Sequence, residues 1–132
     1  MSRPPLAALL LLAAVTAAPH SARAEKQRRC GWYHNPGPGN VLLVDADDDW
    51  WISRQGSAPA EGFEDAYSPA FDDRARYDHA GVLITDGASY GYSCACADGR
   101  FGPPGSGQVI AIDRLVERPL AACKTDPALP PP

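Results

Sequence analysis

Histidine is scarce in this chain: His20, His34 and His79 are its three copies, and none follows position 79. That scarcity removes a tempting chemistry. Gly87-Ala88-Ser89-Tyr90-Gly91 spells the G-x-S-x-G of a nucleophile elbow, but that motif needs a strand-to-helix turn on a large α/β sheet with acidic and histidine partners downstream. Basic residues are also few, 12 Lys+Arg against 16 Asp+Glu, and a nucleic-acid partner would require a basic face that the pair Arg28-Arg29 is too short to supply. Nucleic acid is therefore excluded. There is no C-x-x-C of the thioredoxin kind, and one close cysteine pair instead of the two that a four-cysteine zinc site normally uses. Glycine is missing where calcium would need it: Asp45, Asp47 and Asp49 take positions 1, 3 and 5 of an EF-hand loop, but position 6 is Trp50 and position 12 is Gly56 in place of a bidentate glutamate. The acids are read as turn chemistry, and no metal or cofactor is expected. Internal repeats, coiled-coil patterns and second-domain signals are also lacking, which leaves one domain.

What the chain does have begins with an export signal over residues 1–24. Arg3 supplies the positive start, Leu6 to Ala18 the apolar run, and Ala22-Arg23-Ala24 an A-x-A cleavage site. The run is broken by Pro19, His20 and Arg23 and is shorter than the roughly 20 apolar residues of a membrane span. The mature chain then starts at Glu25, has no membrane span, and is expected in the periplasm or outside the cell. Losing 24 of 132 residues, Arg3 and Arg23 among them, leaves 108 with 10 basic and all 16 acidic side chains. Such a chain builds one modest core, helped by three Trp, five Tyr and three Phe.

All four cysteines, Cys30, Cys94, Cys96 and Cys123, lie in the mature part, and an even count in an exported chain argues for two disulfides. In a strand, Cys94 and Cys96 would stand roughly 6.6 Å apart with parallel Cβ vectors, at the edge of what a bridge tolerates. Cys30 and Cys123 are therefore each expected to reach into that pair, in either of two ways. Both pairings close loops of about 27 to 66 residues, at roughly 3 to 4 kcal/mol per bridge in the chain-entropy picture.

The fold class expected is mainly β: a small antiparallel, hairpin-based sheet over residues 25–123, with little helix, and a flexible proline-rich tail at 124–132. Cys30 to Asn40 reads as an ordered loop, because Pro36 and Pro38 fix φ while Gly37 and Gly39 can take positive φ. Val41–Val44 and Trp50–Ile52 form a hairpin around Asp47-Asp48-Asp49. Gln55 to Gly81 is a surface excursion tacked down by Phe63, Tyr67, Phe71 and Tyr77, with a short helical turn over 72–77. Val82–Thr85 and Ala88–Cys96 flank Asp86-Gly87 as a type I′ hairpin. Its second strand places Ala88, Tyr90, Tyr92, Cys94 and Cys96 on a large face, expected to look inward. Gly99 to Gly107 is a turn region, and Gln108–Asp113 a further strand.

Cys30-Gly31-Trp32, Asn35-Pro36 with Pro38-Gly39-Asn40, Asp45 with Asp47 and Trp51, Gln55-Gly56, Tyr90-Gly91-Tyr92 with Cys94-Ala95-Cys96, and Pro119-Leu120 with Cys123 together resemble a family of short exported bacterial proteins known as a domain of unknown function. Asp49 stands where that family tends to place glycine, and the excursion after Gly56 is longer here. The resemblance implies no activity. Aromatic residues and rigid loops point to a non-catalytic binding module of the cell envelope, with Trp32, His34, Asn35, Asn40, Tyr90 and Tyr92 as binding candidates. Its partner would be an envelope or extracellular protein or a glycan, a cell-wall hydrolase to be inhibited being one example, and the chain itself a monomer. The competing class is a small enzyme using His34 or His79 beside a carboxylate such as Asp45 or Asp78.

Overall fold

Val41–Val44 and Trp50–Ile52 do form a hairpin, and the strands around it build the rest of the sheet. The computed structural model describes residues 1, 24–66, 83–84 and 91–132. Its strands are β1 (Lys26–Gly37), β2 (Asn40–Val44), β3 (Asp49–Ser53), β4 (Leu83–Ile84), β5 (Gly91–Phe101) and β6 (Val109–Arg118); α1 (Phe63–Ala66) and α2 (Leu120–Lys124) are single turns of helix. The mainly β, hairpin-based class with little helix and two disulfides is as expected.

The stretch from Cys30 was expected as a loop, and the structure corrects this: it is strand through Gly37. Long-range pairing overrides the local breakers. β5 pairs with β1 from Lys26↔Arg100 to Asn35↔Gly91, and β2 pairs with its second half from Trp32↔Val44 to Gly37↔Asn40. Pro36 falls where the β1–β2 register shifts between His34 and Gly37, a place that tolerates a missing N–H. Pro38-Gly39 is then a two-residue turn with Gly39 at φ 70°, matching the proline and positive-φ glycine of a type II turn. Gly31 serves close packing, since a Cβ there would collide with the carbonyl oxygen of Val44.

β5 is the central strand. β1 lies along one edge, while β4 (Leu83↔Tyr92, Ile84↔Gly91) and β6 (Cys94↔Arg118 to Phe101↔Val109) share the other. The outer strands β3 and β6 then meet in the parallel sense: Trp51 bridges Gln108, and its N–H donates to the Gly107 carbonyl at 2.9 Å. The five longer strands thus curl back on themselves as a partly open barrel, closed between β3 and the start of β6 by this isolated bridge. Residues 85–90 separate Ile84 from its partner Gly91, so the pairing is two residues away from the register of a two-residue Asp86-Gly87 turn. That turn lies outside the described residues, as do Ser89, Tyr67, Phe71, Tyr77 and the 72–77 segment.

The barrel interior holds Tyr33, Leu43, Trp50, Ile52, Phe63, Ala95, Ala97, Phe101, Val109, Ile112 and Leu115. Here β5 inverts the expectation. Its small face looks inward, with Ala95 and Ala97 both at 0 % exposure, while Cys94, Cys96 and Tyr92 look outward. The reason is space: Trp50 and Phe101, packed edge to face at 5.3 Å, fill a narrow barrel and leave room for alanine opposite them. Outside, Trp32, Cys94 and Cys123 form a second cluster with Val44, Tyr92, Leu120, Ala122 and Leu129.

Cys30 bonds Cys96, its register partner across β1 and β5, and Cys94 bonds Cys123 in α2. This decides between the two pairings left open above. β5 runs through Phe101, so the Gly/Pro turn starts later than Gly99, and β6 runs on to Arg118. The tail beyond Lys124, expected to be flexible, lies against Trp32, whose Nε1–H donates to the Pro130 carbonyl at 2.9 Å.

Candidate functional site

Alternation along the strands decides which side chains reach the outer face of the barrel. Cross-strand pairs Trp32↔Val44 and His34↔Leu42 join β1 to β2, Leu42↔Trp51 and Val44↔Asp49 join β2 to β3, and His34↔Tyr92 joins β1 to β5. Residues opposite one another share a face, so one surface carries Trp32, His34, Leu42, Val44, Asp49, Trp51 and Tyr92. With Pro36 and Pro130 to Pro132 they line a groove of ≈ 450 Å³. The His34 ring stacks on Tyr92 at 3.8 Å between centroids and 7° between planes, and Trp32 meets Tyr92 edge-on at 6.1 Å. Arg54 sits over Trp51 at 4.2 Å.

The groove is nearly uncharged. Burial pushes the pKa of His34 below its ordinary value, with the negative charge of Asp49 opposing the shift, so His34 is a neutral ring near pH 7. A neutral histidine stacked on a tyrosine offers π faces, and the indole N–H beside them is a directed donor that the Pro130 carbonyl engages at 2.9 Å. Such a surface suits flat or ring-bearing groups that carry an acceptor.

Of the residues expected to bind, Trp32, His34 and Tyr92 are brought together. Asn35, opposite Gly91, alternates away from this face. Asn40 is structural, its Oδ1 accepting the Gln55 N–H at 3.0 Å. Tyr90 lies outside the described residues. Leu42, Val44, Asp49, Trp51 and the four prolines were missed. A signal for Trp51 was present: in a strand, adjacent Trp50 and Trp51 cannot both face one core.

The proposed pairing of His34 with Asp45 is not what the structure builds. Asp45 Oδ1 accepts the N–H groups of Asp47 and Asp48, at 2.8 and 3.0 Å, while Oδ2 accepts Arg29 Nη1 at 2.9 Å. Arg29 also reaches Asp47 at 2.9 Å, and its guanidinium lies over Trp50 at 4.0 Å. Asp48 completes the turn, its Oδ2 accepting the N–H groups of Gly105 and Gly107, both at 2.7 Å. The bond from Gly107, followed by those from Asp49 and Gly105, holds the Asp48 carboxyl below its ordinary range. The acidic turn is thus the latch that brings β3 to β6. His79 and Asp78 lie outside the described residues. Among the described residues, no group of three or more His, Cys, Asp or Glu is placed to hold a metal ion, and no helix is long and apolar enough to cross a membrane.

Over residues 24–130 the chain matches the family described as Protein of unknown function (DUF4087), and it belongs to that family. No curated protein and no solved structure matches it.

Proposed function

We propose that the chain is an exported, non-catalytic binding module of the cell envelope that takes its partner, an envelope or extracellular protein or a glycan, on the aromatic face of the barrel. Export rests on the N-terminal pattern of residues 1–24 and is consistent with two disulfides. One observation carries the binding reading: the outer surface of β1, β2, β3 and β5, normally the polar side of a small barrel, is a groove lined by Trp32, His34, Leu42, Trp51 and Tyr92. Aromatic side chains are the usual anchors of interfaces, and concave surfaces are where ligands are held.

The test is an amide and indole NMR titration of the oxidised protein with peptidoglycan fragments, envelope oligosaccharides and extended peptides. Perturbations centred on residues 32–34, 42–44, 49–51 and 92 are expected. Binding that maps instead to the charged surface around Lys26, Asp98 and Arg114 would defeat the assignment of the site. Turnover of a fragment that His34→Ala abolishes would replace the binding module with an enzyme.

A further inference from the structure

The groove already holds a segment whose chemistry is legible. Pro130, Pro131 and Pro132 line it with Trp32, His34 and Tyr92, and the Trp32 Nε1–H donates to the Pro130 carbonyl at 2.9 Å. Leu129, just before them, packs into the Trp32 cluster, and Trp32 is left only 2 % exposed. We propose that this face is a receptor for extended proline-rich segments: the chain's own triplet occupies it in cis, and a proline-rich segment of a partner protein takes its place in trans.

Three features argue for proline over other extended peptides. Consecutive prolines have no N–H, so a matching groove must offer donors and flat apolar walls instead of a strand edge. Trp32 Nε1 is such a donor, and Tyr92, His34 and Trp51 supply the walls. Polyproline II is also formed before binding, so little chain entropy is lost on docking. Finally, the side chains that line the face carry one charge, that of Asp49, which suits a ligand without charged side chains. A second-strand mode is ruled out on β1 at the groove because Trp32 to His34 are already paired on both sides, to β2 and to β5.

The architecture makes the cis contact displaceable. Cys123 is disulfide-bonded to Cys94, the register partner of Trp32, so α2 is pinned at the edge of the groove. Residues 125–129 tether the prolines to it. A short tether gives the triplet an effective concentration on the order of millimolar, and the partner must compete with that. If the triplet fills the groove nine-tenths of the time, the apparent affinity for a second segment falls about tenfold.

This proposal rests on the binding reading of the face, and its test separates the two. The probes are a capped hexaproline peptide, a Gly/Ser peptide of equal length and an N-acetylglucosamine hexamer, each titrated into the wild-type chain and into the triple variant Pro130→Gly, Pro131→Gly, Pro132→Gly. The Trp32 indole resonance is the readout. The variant keeps the residue-130 carbonyl but loses the preformed polyproline shape, so its flexible tail should leave the groove; the Trp32 resonance should then move upfield as its hydrogen bond is lost, and hexaproline should bind about tenfold more tightly than to the wild type. Trp32→Phe, which keeps an aromatic ring and drops the donor, should lose most of that affinity. Equal responses to hexaproline and the Gly/Ser peptide, or none to hexaproline in the variant, would overturn the proposal. A response to the sugar alone would also overturn it, while leaving the face a binding site.

Discussion

Arg29 is the residue whose removal should tell most about how the barrel is latched. Its Nη1 bonds Asp45 and Asp47 equally, at 2.9 Å each, but the environments differ: the Arg29 and Asp45 side chains are 11 % and 9 % exposed, and Asp47 is 58 % exposed. Removing one partner of a buried pair strands the other charge at about 3 to 5 kcal/mol. Asp45 keeps two backbone N–H bonds, which places Arg29→Ala at the lower end, about 3 kcal/mol. Arg29→Lys retains the charge but loses the plane that lies over Trp50 at 4.0 Å and Phe101 at 5.4 Å, so a loss of about 1 to 2 kcal/mol is expected. Asp47→Ala, at an exposed pair, should cost less than about 1 kcal/mol. Urea denaturation followed by tryptophan fluorescence measures each loss. Double-mutant cycles then give the couplings, which should be above about 1 kcal/mol for Arg29 with Asp45 and below about 0.5 for Arg29 with Asp47. Molar salt should erase the second and spare much of the first. Equal couplings, or an Arg29→Ala protein within about 0.5 kcal/mol of wild type, would refute the buried latch.

The two disulfides should differ in consequence more than in magnitude. Paired alanine substitution of Cys30 and Cys96 opens a 66-residue loop and of Cys94 and Cys123 a 29-residue loop, for about 4.3 and about 3.6 kcal/mol; only the second should also shift the Trp32 indole signal, because α2 holds the tail, and stability unchanged in both would reject the bridges as staples. His34 should give stability a pH slope: its folded pKa is depressed by burial, with Asp49 opposing and Tyr92 stacked on it, so its contribution is full above the unfolded value of about 6.5 and is lost as pH falls from there to the lower folded pKa. His34→Gln should flatten that segment of the pH profile of urea midpoints, and an identical slope in the variant would show that another group is responsible.

The parts of the fold legible in the sequence were those where local and tertiary preferences agree. Val41–Val44 and Trp50–Ile52 are β-forming runs around a turn of aspartates, and they pair as such; the cysteines marked their own importance through parity and spacing. The misread parts are those where a tertiary term beats a local one. Pro36, Gly37, Pro38 and Gly39 look like loop, but β5 pairs with β1 along ten residues from Lys26 to Asn35, and a ladder of that length outweighs two prolines placed at a register shift and a turn. The inward face of β5 was misassigned for a different reason: side-chain size says what is worth burying, whereas barrel radius says what fits. Trp50 and Phe101 claim the interior, so alanines face them and the tyrosine and cysteines are turned outward.

That inversion is also why a binding face exists. Once the large face of β5 points out, Tyr92 needs cover, and the sequence meets the need from both directions: Trp32 and His34 flank it from β1, and Cys94 draws in α2 and the prolines behind it. The cysteine pair was legible as a staple, but its geometric effect was not, because pairing Cys123 with Cys94 and not with Cys96 is what carries the tail to Trp32. With the other pairing the tail would emerge two residues farther along β5, roughly 6.6 Å away. A bridge that looks purely architectural therefore sets which segment of the chain competes for the groove.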